Sequence, residues 1–348
     1  MSALKKEEIL QYILCAQHIT APAEKLQVCR DLNGLQAQYV SNARHALQIR
    51  CSEVLPENNW GDGLVKSWTI RGTMHVFCED DLPLFLHKGR ANALRDVDRW
   101  VDDACISAER KRWFAEKILE WIAEGIETRE DLKVACFSAG MTGTEAESVF
   151  NSWGGTLRAL AEEGRIAYIA QEKKAFRCCK PFVPMPKEEA ELELIRRYFF
   201  HYGPATLRDA AYYFGAPQTV LKQRMRKLPL IELFDGEQNR YCLESFLPSD
   251  LPDIPSCVFL AGFDPLLLGY RKENSLFLPQ EYLRAVFNLT GIVFPTVMLQ
   301  GRIKAKWKLS GQKLLITPFE TLNTLEKRLV ADTAERTFGE LRQITWVE

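Results

Sequence analysis

The chain lacks most of the features that assign a protein to a simple class. No run of about 18 apolar residues occurs, so no membrane-spanning helix is expected, and the missing basic-then-apolar leader predicts a cytoplasmic setting. Ten cysteines are present but none forms a C-x-x-C pair, and the five histidines are scattered. That spacing argues against a zinc or iron–sulfur centre; no metal and no cofactor is expected, and the thiols read as reduced. There is also no excess of positive charge: 45 Lys and Arg against 46 Asp and Glu leave a net charge of -1. Nucleic-acid binding is therefore not announced by overall charge and would have to come from local segregation of the cations.

What is present is enough to build a sizeable interior. The chain is 348 residues long, 47% hydrophobic and 26% charged, which fits two to four packed modules. Its most informative stretch is Asn33-Gly34-Leu35-Gln36-Ala37-Gln38-Tyr39-Val40, which sets two neutral amides in an otherwise apolar entry to a helix. Ser41 or Asn42 is the expected cap of a helix through Ala43, Ala46, Leu47 and Arg50, which leaves Gln36 and Gln38 in the extended segment before it. Residues two apart on an extended segment point the same way, so both amides can face one cavity. Two glutamines can also be ordinary loop residues that satisfy nearby backbone groups. A Gln amide donates and accepts but does not titrate. Such a pair suits only a reaction whose leaving group is already activated.

Along the chain the same pattern recurs. Helical spacing over residues 5–18, 21–32 and 35–50 is followed by strand-like residues 67–77, interrupted by Gly72. The charged residues 88–112, with Arg90, Arg95 and Arg99, read as a further helix with a solvated face. From Phe114 come a helix through Ile118 and Ile122, a second capped at Thr128, a third begun by Thr142 or Thr144 and broken near Gly154-Gly155, and a hairpin over 166–178. A third set starts at Glu189, with helices over 207–214 and 219–227 and a hairpin over 230–243. The expectation is an α+β protein of three tandem winged-helix units, residues 1–113, 114–182 and 183–247. Residues 248–348 are expected to form a small β-barrel, with strands at 258–261, 291–294, 297–299, 302–309 and 313–317, and a C-terminal helix over 321–336.

Arg302, Lys304, Lys306 and Lys308 alternate with Ile303, Ala305, Trp307 and Leu309, so a strand here shows four cations on one face. It reads either as an edge strand guarded by lysines or as a surface that tracks phosphates. Lys173 and Lys174 at the tip of the second hairpin are further DNA-contact candidates. Arg71, a charge set amid Trp68, Ile70 and Phe77, needs a partner, either an internal carboxylate or a phosphate, and is a further DNA-contact candidate. His75 and Asp264 are candidates for the pocket, or else structural, with Asp264 capping a turn or pairing with Arg271.

Gly34-Leu35-Gln36-Ala37-Gln38, Arg44 and Trp68-Thr69-Ile70-Arg71-Gly72-Thr73-Met74-His75 together resemble the AlkZ-like bacterial DNA glycosylases, whose signature is a Gln-aliphatic-Gln motif. Tyr202-Gly203-Pro204-Ala205-Thr206 with Asp209, Phe263-Asp264-Pro265 with Leu268-Gly269-Tyr270-Arg271, and Pro295-Thr296 with Gly301-Arg302 and Trp307 look like later landmarks in the family's order. The resemblance implies a monofunctional DNA N-glycosylase that excises cationic N-alkylated bases of the N7-alkylguanine type and unhooks interstrand crosslinks in some members. It implies Gln36 and Gln38 as the catalytic pair, a concave channel, a monomer, and duplex DNA with alkylated bases as partner, with Arg44 among its contacts. A non-catalytic winged-helix DNA-binding protein or regulator is the rival reading, and a protein–protein module of stacked winged helices a third. The segments Leu157-Arg158-Ala159-Leu160 and Leu221-Lys222-Gln223-Arg224 lack an obvious base-reading set.

Overall fold

Hydrophobic spacing of 3.6 residues, sharp caps and glycine breaks account for most of the helices. The computed structural model describes residues 5–69, 71–87, 105–152, 154–172, 174–244, 250–273 and 275–347. The expected helix over 88–112 therefore lies outside the described residues as far as residue 104, and so does Lys173. Among the described residues no helix is long and apolar enough to cross a membrane. The chain divides into two compact units, residues 56–191 and residues 1–55 with 192–348.

In the unit formed by residues 56–191, Phe114, Ile118 and Ile122 recur at every fourth position of the helix Ala108–Ala123 and are all buried. They meet Leu132 and Cys136 of the helix Arg129–Ser138, Leu157 and Leu160 of the helix Gly155–Glu162, and Ile166 and Phe176 from the hairpin. Thr128 caps its helix by accepting from the Asp131 amide, and Thr142 forms a reciprocal capping box with Glu145. The expected break is real: the helix Gly143–Val149 stops before Gly154, whose φ of 119° needs a residue without a Cβ. The strands Leu64–Trp68 and Met74–Cys78 pair antiparallel, Val65 opposite Phe77, and Leu64–Trp68 also pairs with Ile166–Ile169. Ile166–Ile169 in turn pairs with Phe176–Cys178.

The other unit holds the helices Lys6–Ala16, Lys25–Asp31 and Val40–Gln48, then the run Lys187–His201, Leu207–Phe214 and Gln218–Met225, the first of which begins before residue 192. Thr206 and Asp209 close a capping box at one end of Leu207–Phe214, and Gly215 ends it in the left-handed region at φ 59°. The hairpin Leu230–Phe234 with Asn239–Leu243 follows.

The C-terminal strands do not form a barrel. They make an open five-stranded sheet in the order Gln343–Trp346, Lys313–Pro318, Arg302–Ser310, Thr296–Leu299, Cys257–Leu260. The outer strand Gln343–Trp346 runs parallel to its neighbour. The physical reason for staying open is the helix Thr324–Phe338, whose Val330 and Ala334 pack on Phe259, Val297, Leu299, Ala305 and Ile316 and cover the apolar face that closure would otherwise bury. The expected strand over 291–294 is reduced to a single bridge, Phe287 to Val293, and the edge strand at 343–346 carries too short a pattern to be read in advance.

Candidate active site

The Gln segment is held from both ends. After the helix Lys25–Asp31, Asn33 and Gly34 take φ of 55° and 80°, turning the chain out of the helix, and the Gly34 amide donates back to the Cys29 carbonyl at 2.8 Å. The Asn33 side chain donates to the Leu194 carbonyl at 3.1 Å, which ties the turn to the helix Lys187–His201. Leu35 and Gln36 are then extended, and Leu35 and Ala37 are buried at 1% and 0% exposure. Gln36 is half-buried and Gln38 exposed. Gln36 ends the extended pair and Gln38 lies in the bend that leads into the next helix, and neither side chain belongs to the buried core. Among the described residues neither amide has a hydrogen-bond partner.

Tyr39, not Ser41 or Asn42, occupies the N-cap of the helix Val40–Gln48, and no side chain caps it. Val40 is buried and belongs to the same stripe as Ala43, Ala46 and Leu47, so the helix starts as soon as that stripe can be buried, before either polar candidate. The result is a helix N-terminus, with its unsatisfied amides and positive dipole end, one residue after Gln38. Tyr39 stacks on Phe263 with ring centroids 6.0 Å apart.

The C-terminal end of this helix is fixed by an ion pair sealed from solvent. Arg50 donates to both oxygens of Asp264, at 2.6 and 3.1 Å, and both side chains are 0% exposed. Arg50 also holds the carbonyls of Gln17 and Ala46, while Asp264 accepts from the Leu266 amide and caps the short helix Pro265–Leu268. Asp264 thus lines no pocket, and its partner is Arg50 instead of Arg271. The signal was in the sequence: Arg50 continues the stripe Ala43, Ala46, Leu47, and a charge on a buried stripe requires an internal partner. His45, on the same helix, donates to the Phe259 carbonyl at 2.7 Å and packs on Trp307 and Phe338. Burial holds its imidazole below the ordinary range, so it stays neutral.

The four-cation strand exists, and the row is partly neutralised. Lys304 is gripped by Glu326 at 2.8 Å and Glu320 at 2.9 Å, and these hydrogen bonds push its ammonium up. Arg302 lies 3.7 Å from Glu281. Lys306 sits over the Phe294 ring, 5.3 Å from its centroid, and Lys308 is exposed. The strand lies in the interior of its sheet, paired on both sides, so the lysines are not guarding an edge. By alternation they project from the face opposite Trp307, which receives His45. Arg44 is half-buried and donates to the Leu55 carbonyl at 3.3 Å.

In the unit of residues 56–191, His75 is buried in its hairpin with Nδ1 2.9 Å from the Thr69 hydroxyl and 3.1 Å from the Thr73 carbonyl. Nδ1 is thereby engaged within the hairpin. Arg71 lies in the turn of that hairpin and not on a strand. Lys174 is exposed between Ile166–Ile169 and Phe176–Cys178, the hairpin tip where it was expected. All ten cysteines are free thiols, and burial pushes Cys136 up to about 12, which leaves it inert as a nucleophile.

Comparison with known proteins adds three findings. Residues 29–338 match the family described as DNA glycosylase AlkZ-like. A relative from Streptomyces sahachiroi, named an interstrand DNA cross-link repair glycosylase, is 23% identical over 326 residues, which cover 87% of each chain. The solved structure of the Streptomyces sahachiroi DNA glycosylase AlkZ superposes with a TM-score of 0.78 at 21% identity, covering 99% of this chain and 100% of that one.

Proposed function

Because the chain belongs to the AlkZ-like family of DNA glycosylases, we propose that it is a monofunctional enzyme that hydrolyses the N-glycosidic bond of cationic, N-alkylated bases of the N7-alkylguanine type. Gln36 and Gln38 are the catalytic pair of this reading. The observation that carries it is the outward turn of two neighbouring amides that no described residue engages, one residue before an uncapped helix N-terminus.

A guanine alkylated at N7 is already positively charged, so its glycosidic bond breaks with the electron pair leaving on the base and no proton donor is needed. Gln cannot be a general acid or base, and here it does not have to be. One amide positions the water that adds to C1′ while the other contacts the sugar or its phosphate; the proton released by the water goes to solvent. The work is electrostatic and positional, in step with the positive charge that moves from the base to the sugar ring. The helix N-terminus beside Gln38 favours a backbone phosphate there, which would seat the sugar against the pair. With only amides in the site and no amine, no covalent lyase step is drawn.

In this reading the helix–helix–helix–hairpin runs within residues 114–182 and 183–247 are winged-helix units that hold duplex DNA, and the enzyme acts as a monomer. The crosslink activity named for the Streptomyces sahachiroi relative extends to this chain as part of the proposal, since an unhooked crosslink leaves through the same cationic N7 chemistry. The direct test is release of labelled 7-methylguanine from alkylated duplex DNA by the purified chain. Time-dependent release with no strand cleavage supports the reading, and intact alkylated DNA after saturating enzyme removes it.

In this reading Lys306 and Lys308, which no described carboxylate pairs, are the strand cations assigned to phosphates, on the sheet face opposite the helix that follows the Gln pair. Replacing both by Gln is expected to reduce the slope of log affinity against log salt by about two, since each phosphate contact contributes roughly 0.9. Lys304→Gln should leave that slope unchanged, because its charge is already committed to Glu320 and Glu326. Fluorescence anisotropy of a labelled duplex across a salt series reads both.

A further inference from the structure

We propose that His18, Asp31 and His201 form a binding site for one divalent transition-metal ion, which fastens together the C-terminal ends of three helices behind the Gln segment. The three side chains come from widely separated parts of the sequence, so no motif spacing marks them. His18 follows the end of Lys6–Ala16, Asp31 ends Lys25–Asp31, and His201 ends Lys187–His201. One atom from each can be brought within 4.8 Å of the others. His18 Nε2 lies 2.9 Å from one Asp31 oxygen and His201 Nε2 lies 3.3 Å from the other.

The hydrogen bonds behind the cluster decide the tautomers. His18 Nδ1 faces the Ala21 carbonyl at 3.2 Å, and His201 Nδ1 faces the Ala16 carbonyl at 3.0 Å. A carbonyl accepts only, so each Nδ1 carries the proton, and in the neutral ring each Nε2 is a lone pair. Each Nε2 is thereby turned toward an Asp31 oxygen, so that the three donor atoms converge on one point. A metal ligand His typically turns its other N–H to a backbone carbonyl in this way.

The electrostatics of the place favour a cation. Three helix C-termini, each the negative end of a dipole, converge on a carboxylate that itself sits at a C-terminus, where its charge is disfavoured. Burial alone would raise the Asp31 carboxyl, yet contacts with His18 and His201 hold it well below the usual range. The guanidinium of Arg196 bonds Glu193 at 2.6 Å, and its charge also acts on Asp31. One divalent ion supplies the charge at a single point.

The donor set selects the ion. Two imidazoles and a carboxylate suit zinc and its first-row neighbours and not calcium or magnesium, and three protein ligands leave a position for water. Room for it exists: the cluster faces a groove of about 530 Å³, also lined by Cys15, Glu24 and Ser52. His18 is in addition in the left-handed region, at φ 62°, which turns the chain directly after the helix end. Asp31 is followed by the turn at Asn33 and Gly34 that sets the direction of Gln36, so the ion would anchor the start of that segment.

The test uses the full chain stripped with a chelator and titrated with Zn2+ by calorimetry, with Co2+ absorption as the reporter of ligand type. One equivalent is expected to bind at submicromolar Kd with a higher melting temperature, and the Co2+ complex should show d–d bands without thiolate charge-transfer absorption. His18→Gln with His201→Gln should weaken binding at least a hundredfold. Binding that survives in that variant, or that carries a thiolate band, assigns the metal to the cysteines and overturns the proposal. So does failure of the parent chain to bind at micromolar Zn2+. The parent titration and spectrum decide the matter even if the double variant does not fold.

Discussion

Replacing Gln36 and Gln38 together by alanine is expected to slow release of 7-methylguanine from alkylated duplex DNA by roughly a thousandfold or more, while DNA affinity changes by less than about threefold. The first number follows from what an oriented dipole contributes at the moment charge develops: removing one such group costs on the order of a hundredfold to a thousandfold in rate. An amide that positions the water and one that holds the sugar it attacks act as a unit, so single alanine variants should each lose most of the effect and the losses should not add. The second number follows from position. Gln38 is exposed and Gln36 half-buried, neither is bonded to a described residue, and Leu35 and Ala37, which pack the segment, are untouched. Folding and the general phosphate contacts should survive. Single-turnover release beside anisotropy on the same duplex separates the two quantities. Parental release by the double variant would take catalysis away from this pair, and parallel loss of binding and release would make the amides DNA contacts only.

Asp264→Ala is expected to destabilise the unit of residues 1–55 and 192–348 by about 3–5 kcal/mol, the usual cost of leaving one member of a buried ion pair without its counter-charge. Arg50 would keep a guanidinium at 0% exposure with only carbonyls to receive it, and the Leu266 amide would lose its cap. The counterpart variant Arg50→Met should cost a similar amount for the mirror reason. Combining Arg50→Met with Asp264→Leu should recover much of the loss, because the desolvation penalty of both charges disappears together. Denaturant unfolding of Asp264→Leu, Arg50→Met and their combination, beside the parent, closes the cycle. Strict additivity would mean that the pair contributes nothing as a pair. Base release per folded molecule should be nearly unchanged in the double variant if the packing of Val40–Gln48 alone sets the Gln segment, and reduced if the ion pair tunes it.

Much of the architecture follows from local rules that a sequence exposes. Thr128, Thr142 and Thr206 cap the helices they precede, Gly154 interrupts and Gly215 terminates, and the hairpins fall where apolar alternation meets a glycine or polar turn. Each of these is decided within four or five residues, so neighbours in the chain carry all the information. The burial of Leu35 and Ala37 between the less buried Gln36 and Gln38 belongs with them, because the apolar and polar residues of this segment alternate.

Three features needed the assembled chain. The barrel gives way to an open sheet because a helix beginning at Thr324 comes back over the apolar face, a choice made between segments far apart in sequence. Tyr39 takes the N-cap from Ser41 and Asn42 because the core rewards burying Val40 more than a hydroxyl rewards capping. The charges are the clearest case. Alternation in the sequence put four cations on one strand face, but Glu320 and Glu326 neutralise Lys304, and Asp264 is claimed by Arg50, 214 positions away. A sequence specifies which groups are charged and which way a local segment turns them; whether a charge is free to meet a phosphate depends on what the fold brings opposite it, and Coulomb attraction over a few ångströms does not respect distance along the chain.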